Sequence, residues 1–277
     1  MYLDLHSHST ASDGSLSVAE LLERASNRNV ELMSITDHDT VAAYRNLPAS
    51  SNIKIIPGLE LSCTWARSCA HILGFNVDID SPALTTLLQR QSDARGERAE
   101  RIAKRLAKKG MTDLMPAVRE RAKGRAIGRP DFAKELAKQG YVADPAEAFQ
   151  RWLGTGKIGD VSTEWVGLEE GVQTIVAAGG VACIAHPKQY KLTNTKLRRL
   201  ITEFKAAGGK GLEVYNGRPQ TAELSYLRGL CREYELLASI GSDFHTPTEW
   251  LDDGCDSIHT GACKPIWERW SDVSSPA

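Results

Sequence analysis

The chain has 277 residues, enough for one large α/β domain or for one domain carrying a smaller insertion. Its 42% hydrophobic content can build a substantial core, and 34 basic against 35 acidic residues leave a net charge of −1, so nothing global advertises nucleic-acid or membrane binding. No apolar run approaches the ~20 residues of a membrane span, the N-terminus enters a strand pattern without signal-peptide character, and the expected location is the cytoplasm.

Tyr2–His6 reads as a buried strand. Ser17 and Glu20 then form an S-x-x-E capping box that opens a helix with Leu21, Leu22 and Ala25 on its apolar face. Val30–Thr36 is the next strand, ending in Thr36-Asp37-His38-Asp39, and a short helix is expected around Val41–Leu47. Ile53–Ile56 reads as a third strand that Pro57-Gly58 turns and Leu59–Ser62 continues, and Cys69–Phe75 as a fourth. This β-α-β-α-β-β rhythm marks an α/β domain.

From about Ser81 to about Lys157 the patterns are helical only. Leu84, Leu87, Leu88, Ile102, Leu106 and Met111 supply an apolar face beside many Arg and Lys, and Arg129-Pro130 and Asp144-Pro145 each place proline in a first helical turn. Residues 81–157 are therefore expected to form an inserted helical subdomain, within an α/β domain made of 1–80 and 158–277. The α/β rhythm resumes with a helix over Leu168–Ala178, a strand over Val181–Ala185, a helix over Leu197–Ala206, a strand over Gly211–Tyr215, a helix over Pro219–Tyr234 and a seventh strand over Leu236–Ile240. The tail after about residue 250 is less regular, and 272–277 reads as a frayed end. The six cysteines form no C-x-x-C pair and read as isolated thiols, not as a disulfide or cysteine–zinc framework.

Six of the seven histidines, His6, His8, His38, His71, His186 and His245, fall in strands or just after them, and the carboxylates Asp13, Glu60 and Asp243 stand near them. His6 and His8 are i and i+2 on a strand and can aim two imidazoles at one point. In barrels of parallel strands the C-terminal strand ends gather at one face, where active sites form. Singly, each residue has a bland reading: a strand histidine is commonly a core or surface group, and Asp13 in Ser-Asp-Gly suits a turn. Together they point to a metal site. Nine ligands exceed one ion, because zinc takes about four and octahedral metals about six, so the set suits two or three ions with a bridging carboxylate. Imidazole and carboxylate without thiolate favour Mn, Zn or Fe over Ca, and such a cluster can clamp the oxygens of a phosphoryl group undergoing in-line displacement. Asp37 and Asp39 are expected to orient His38. His259, off the pattern, reads as structural.

His6-x-His8 with Asp13, Thr36-Asp37-His38-Asp39, Glu60, His71, His186-Pro187 and Ser242-Asp243-Phe244-His245 resemble the motifs of the PHP (polymerase and histidinol phosphatase) superfamily across almost the whole chain. The insertion, with Gly128-Arg129-Pro130, Ala178-Gly179-Gly180 and Ala185-His186-Pro187, resembles the branch of 3′,5′-nucleoside bisphosphate phosphatases and 5′→3′ exoribonucleases of the RNase AM type. The resemblance implies a distorted (β/α)7 barrel and three divalent metal ions, foremost Mn, with Fe or Zn as alternatives. It further implies that His6, His8, Glu60 and Asp243 hold one ion. Glu60 would bridge to a second, held with His71 and His186, and Asp13, His38 and His245 would hold the third. One departure is that Lys188-Gln189 follow His186-Pro187 where a small residue and then Arg would be expected, which makes Lys188 the candidate for that phosphate contact.

The expected reaction is phosphate-ester hydrolysis on a small nucleotide carrying two phosphates, one cleaved and one gripped, or on short single-stranded RNA with a 5′-phosphate. His186 and Asp243 are candidates to assist the leaving alkoxide. Candidate grips are Arg95 and Arg98, which are i and i+3 on one helix, Arg129 at a helix start, and Lys157 in a Gly-rich segment that lacks P-loop spacing. Tyr190, Tyr215 and Asn216 are candidates for contact with a base or ribose. The competing readings are a histidinol-phosphate phosphatase or another small phosphomonoesterase, and a non-catalytic metal-stabilised accessory module. No membrane partner is expected, and the oligomeric state is left open.

Overall fold

The structure, a computed structural model, describes residues 1–48, 52–66, 68–217, 220–247 and 255–270. The chain divides into two compact units, Met1–Leu87 with Val166–Ala277, and Leu88–Trp165. In the first, β1 (Tyr2–Ser7) is buried on both faces after Tyr2, as an inner parallel strand should be. The expected capping box starts α1 (Val18–Asn27), with the Ser17 hydroxyl accepting from the Glu20 N–H and the Glu20 carboxylate accepting from the Ser17 N–H at 2.8 Å. β2 (Leu32–Ile35) pairs parallel to β1, and a 3-10 turn over Ala42–Asn46 replaces the expected short helix.

The expected third strand is split. β3 (Lys54–Ile55) pairs with β2, whereas β4 (Gly58–Trp65) belongs to a second sheet. Pro57 stands between them, and proline can donate no ladder hydrogen bond. β5 (Ser68–Phe75) returns antiparallel along the whole of β4, from Gly58↔Phe75 to Trp65↔Ser68.

α2 (Pro82–Ala107) carries the chain into the second unit. Its opening turns, with buried Leu84 and Leu87, stay in the first unit, and the second extends to Val161 in its core and Trp165 against Arg95. The boundaries therefore lie at 88 and 165, downstream of the expected 81 and 157. α3 (Leu114–Ala122), α4 (Arg129–Lys138) and α5 (Pro145–Ala148) complete this unit around Ile102, Leu106, Val118, Phe132, Leu136 and Leu153. α4 opens as its sequence suggests, with Pro130 in the first turn and the Asp131 carboxylate accepting from the Gly128 N–H at 2.8 Å.

Back in the first unit follow β6 (Val166–Gly167), α6 (Leu168–Ala177), β7 (Val181–Ile184), α7 (Asn194–Ala206), β8 (Gly211–Asn216), α8 (Thr221–Glu233), β9 (Leu237–Gly241) and β10 (Cys255–Asp256). β6 and β10 are two residues each, too short to leave a periodic signal. The sheets run β10-β1-β2-β3 and β6-β4-β5-β7-β8-β9. Parallel bridges Ser7↔Phe244 and His38↔Glu60 join them, backed by Asp243 N–H to His6 O at 2.8 Å and Asp39 N–H to Glu60 O at 2.9 Å. β1, β2, β4, β5, β7, β8 and β9 thus succeed one another around a ring, with β5 the one strand antiparallel to both neighbours. The expected frayed end, 272–277, lies outside the described residues. Among the described residues, no helix is long and apolar enough to cross a membrane.

Candidate metal centre

Both bridges fall where the ring brings its histidines together. His6 lies in β1, His8 just after it, His38 after β2, His186 after β7, and Asp243 and His245 after β9. These follow the expected placement at strand C-termini. Glu60 and His71 do not. Glu60 sits near the start of β4 beside His38, and His71 lies inside β5 opposite Ser62. His71 joins the others because β5 runs against its neighbours, so its middle is presented at the same end, and Glu60 joins through its parallel bridge to His38. Asp13 arrives on the loop after β1.

Glu60, fully buried, is the hub. Its Oε1 stands 2.9 Å from His71 Nδ1 and 2.8 Å from His186 Nε2. Its Oε2 stands 3.0 Å from His38 Nδ1, 3.3 Å from His8 Nε2 and 3.5 Å from His6 Nε2. Asp243 Oδ1 is 3.4 Å from Nε2 of both His6 and His8. Asp13 lies 3.5 Å from His245 Nε2, 3.8 Å from His8 Nδ1 and 3.9 Å from His38 Nε2. All nine expected residues are thus brought together, in overlapping clusters with ligand atoms close enough for shared ions.

Glu60 Oε1 is hydrogen-bonded to His71 Nδ1 and His186 Nε2, but proximity on the Oε2 side is not hydrogen bonding. His6 Nε2, both His8 ring nitrogens, His38 Nδ1, His186 Nδ1 and Glu60 Oε2 are buried without a hydrogen-bond partner. Each such group costs about 1–3 kcal/mol when left unmet, and buried polar atoms are otherwise nearly always paired. Lone pairs converging on common points, from imidazole and carboxylate donors, fit divalent cations of the Mn, Fe or Zn type.

The electrostatics of the cluster follow from burial and from its carboxylates. Burial opposes protonation of His6, yet the Glu213, Asp243 and Glu60 carboxylates overcome it and hold the imidazole well above its ordinary pKa. Burial also opposes protonation of His71 and His38, and Glu60 outweighs it in both. His8 goes the other way, brought down to about 3 by burial and then by His245 and His38. Burial raises Glu60, but His38, His71 and His6 prevail and keep it well below the usual carboxylate range.

Three buried carboxylates hold the ligand-bearing segments. Asp37 accepts from Ser9 N–H at 2.8 Å, Ser9 Oγ at 2.6 Å and Ser12 Oγ at 2.5 Å, so it anchors the loop leading to Asp13 and does not orient His38 as expected. Asp39 accepts from Ser62 N–H at 2.7 Å, fastening β4 next to Glu60. Asp4 accepts from Ser242 N–H at 2.9 Å and Ser242 Oγ at 2.5 Å, ahead of Asp243. Glu213 meets His6 Nδ1 at 2.9 Å. Sequence reasoning missed Asp4 and Glu213. The available signal was an acid flanked by apolar residues inside a strand, as in Leu3-Asp4-Leu5 and Leu212-Glu213-Val214.

The other expected contacts are dispersed. Arg95 and Arg98 share a face, as their spacing suggests, and both lie over the Trp165 ring, at 5.1 and 5.7 Å. Arg129 donates to Leu153 O at 3.1 Å and lies 3.7 Å from Asp160, within the second unit. Lys157 is exposed there, and Lys188, exposed after β7, lies over Tyr226 at 5.2 Å. Tyr190 is committed to packing: its hydroxyl accepts from His71 N–H at 2.8 Å and meets the carbonyls of His71 and Ala185. Tyr215 stacks on His259 at 3.9 Å, which gives that histidine the structural role expected. Asn216 accepts from Gln189, whose side-chain amide also donates to Asp243 Oδ2 at 3.4 Å.

Comparison with known proteins agrees with this arrangement. The PHP domain family matches residues 4–214. The chain is 36% identical over 274 residues to the 5′-3′ exoribonuclease Rnm of Escherichia coli, covering 96% of this chain and 93% of that protein. It is 38% identical over 275 residues to the 3′,5′-nucleoside bisphosphate phosphatase of Chromobacterium violaceum, covering 96% and 95%. A solved structure described as an amidohydrolase from Chromobacterium violaceum, with bound sulfate and no metal, superposes with a TM-score of 0.88 at 36% identity, covering 96% of this chain and 95% of that one. On the strength of a domain match over most of its length and relatives well above 30% identity along nearly all of it, this chain belongs to the PHP domain family.

Proposed function

We propose that the chain is a metal-dependent phosphoesterase that removes the 3′-phosphate of nucleoside 3′,5′-bisphosphates, such as adenosine 3′,5′-bisphosphate, and shortens 5′-phosphorylated RNA in the 5′→3′ direction. The observation that carries this reading is the division of Glu60 between two sets of imidazoles, with converging buried atoms that no hydrogen bond uses. The names of the two relatives at 36% and 38% identity supply the substrate class. Both substrates lose the same bond, between phosphorus and the ribose 3′ oxygen, so one site serves both.

The overlapping clusters support more than one ion, and three are allotted here as the resemblance implies. His6, His8, Glu60 and Asp243 would hold one, Glu60 with His71 and His186 a second, and Asp13, His38 and His245 the third, with Mn the foremost candidate. When bound, the ions supply Lewis acidity that neutralises charge on the phosphoryl oxygens in an in-line displacement. The chain's own part is preorganisation. Glu60 fixes the spacing between its two sets of rings, Asp39 ties β4 to the segment bearing His38, and Gln189 restrains Asp243. Arg95, Arg98, Arg129, Lys157 and Lys188 are the candidate grips for the phosphate that is not cleaved, and the cytoplasm is the proposed location.

The test incubates Mn-loaded protein with adenosine 3′,5′-bisphosphate, histidinol phosphate and a 5′-phosphorylated RNA oligomer. Phosphate release from the first and mononucleotide release from the third are expected. Turnover of histidinol phosphate alone would overturn the substrate assignment. Bound metal without turnover of any of the three would replace the enzyme reading with a metal-stabilised module.

A further inference from the structure

We propose that Glu213 is the positioning residue that makes His6 and His186 usable as ligands of two different ions. The inference rests on the metal-site reading above. Glu213 lies in β8, is fully buried, and has no place among the nine ligands. Its carboxylate is used from both sides. Oε1 stands 2.9 Å from His6 Nδ1, and Oε2 accepts from the His186 backbone N–H at 2.5 Å and from the Asn216 side-chain amide at 3.2 Å.

The first contact sets a tautomer. A carboxylate at Nδ1 asks that nitrogen to carry the proton, which leaves the Nε2 lone pair bare. His6 Nε2 is the atom facing Glu60 and Asp243, at 3.5 and 3.4 Å, and it has no hydrogen bond of its own. The second contact holds a backbone. His186 has a φ of 25°, in the left-handed region that a side-chain-bearing residue enters at a cost. Its N–H is directed onto Glu213, so the bond helps to pay that cost while aiming Nε2 at Glu60, 2.8 Å away. One carboxylate therefore ties a ligand from β1 to a ligand from the end of β7, 180 residues further along the chain by number.

Glu213→Gln separates this role from simple space filling. The His186 N–H can only donate, and Asn216 presents its NH2 here because its oxygen accepts from Gln189, so the glutamine must turn its oxygen to them and its NH2 to His6. His6 then has to accept at Nδ1 and carry its proton on Nε2, where a ligand lone pair is needed. Volume, burial and the His186 contact are kept, while the His6 tautomer is inverted and the negative charge beside it is removed.

The test measures metal stoichiometry and affinity for Mn and Zn by equilibrium dialysis, in wild type and Glu213→Gln. The expected result is a roughly 10–100-fold weaker affinity for one ion, with the remaining ions retained. Equal affinity and stoichiometry in the two proteins would overturn the proposal while leaving the metal site standing. A wild type that holds no divalent metal would overturn both. A second readout needs no variant: in the Zn-loaded wild type, long-range 1H–15N correlation should show His6 protonated at Nδ1 and bare at Nε2. A proton on His6 Nε2 refutes the proposal, and this measurement decides if Glu213→Gln does not fold.

Discussion

The anchor of the Asp13 loop can be tested by removing Asp37. Its carboxylate is fully buried and takes one backbone N–H and two hydroxyls, from Ser9 and Ser12. Hydrogen bonds to a charged group contribute about 1.5–3 kcal/mol each, but hydroxyls can rotate to other acceptors and a backbone N–H cannot. The alanine variant also no longer buries a carboxylate, a burial that pushes the Asp37 pKa up. The net cost of Asp37→Ala is therefore near that of one stranded charged bond, about 2–3 kcal/mol. Asp37→Asn keeps an acceptor for the Ser9 N–H and offers its amide to the hydroxyl oxygens, so it should cost about 1 kcal/mol or less. Urea unfolding of the metal-free proteins, followed by circular dichroism, measures both. Because Asp13 follows this loop, the alanine variant should also lose metal held with His38 and His245 before metal held around Glu60. A cost for alanine below ~0.5 kcal/mol, or an asparagine as damaging as alanine, would refute the reasoning, since the stranded N–H could not then be what matters.

Metal binding should release protons near neutral pH. His6, His38 and His71 are held above their ordinary pKa in the metal-free protein and must surrender protons to bind, whereas His8, at about 3, is already neutral. Affinity should accordingly fall as the pH is lowered from 8 to 6, and titration calorimetry in buffers of different ionisation enthalpy should show net proton release. No buffer dependence would contradict it. Gly241→Ala should disturb the seam between β9 and β1, because a Cβ there would stand 2.3 Å from His6 Cβ and 2.7 Å from His6 N. A loss of about 1–3 kcal/mol is expected, as for other overpacked sites, together with lower metal content; an unchanged melting temperature would argue against it. Ser17→Ala removes the α1 cap, whose hydroxyl meets Glu20 and none of the nine ligands. It should cost about 1 kcal/mol with turnover unchanged, so a fall in turnover would show that α1 does more than support the fold.

Local signals foretold local structure. The S-x-x-E box starts α1, Pro130 starts α4, and the apolar runs around Leu5, Ile35, Ile184 and Ile240 form strands. What misled was connectivity. The run from Ile53 to Ser62 reads as one strand, yet Pro57 divides it between two sheets. The direction of β5 was marked only by a link to β4 too short for a parallel crossover, and that direction brings His71 to the site from the middle of a strand.

The kind of chemistry was settled by the covalent chain. Six histidines and three carboxylates spaced along successive strands are facts of composition and order, and imidazole with carboxylate selects borderline divalent metals whatever the fold. Only tertiary structure made Glu60 the hub and drew Asp4, Asp37 and Glu213 into supporting roles. The reason is distance along the chain. Ser242 meets Asp4 across 238 residues, and Glu213 meets His6 across 207. A buried carboxylate is tolerated only where particular donors come to meet it, and which donors those are is decided when the ring closes.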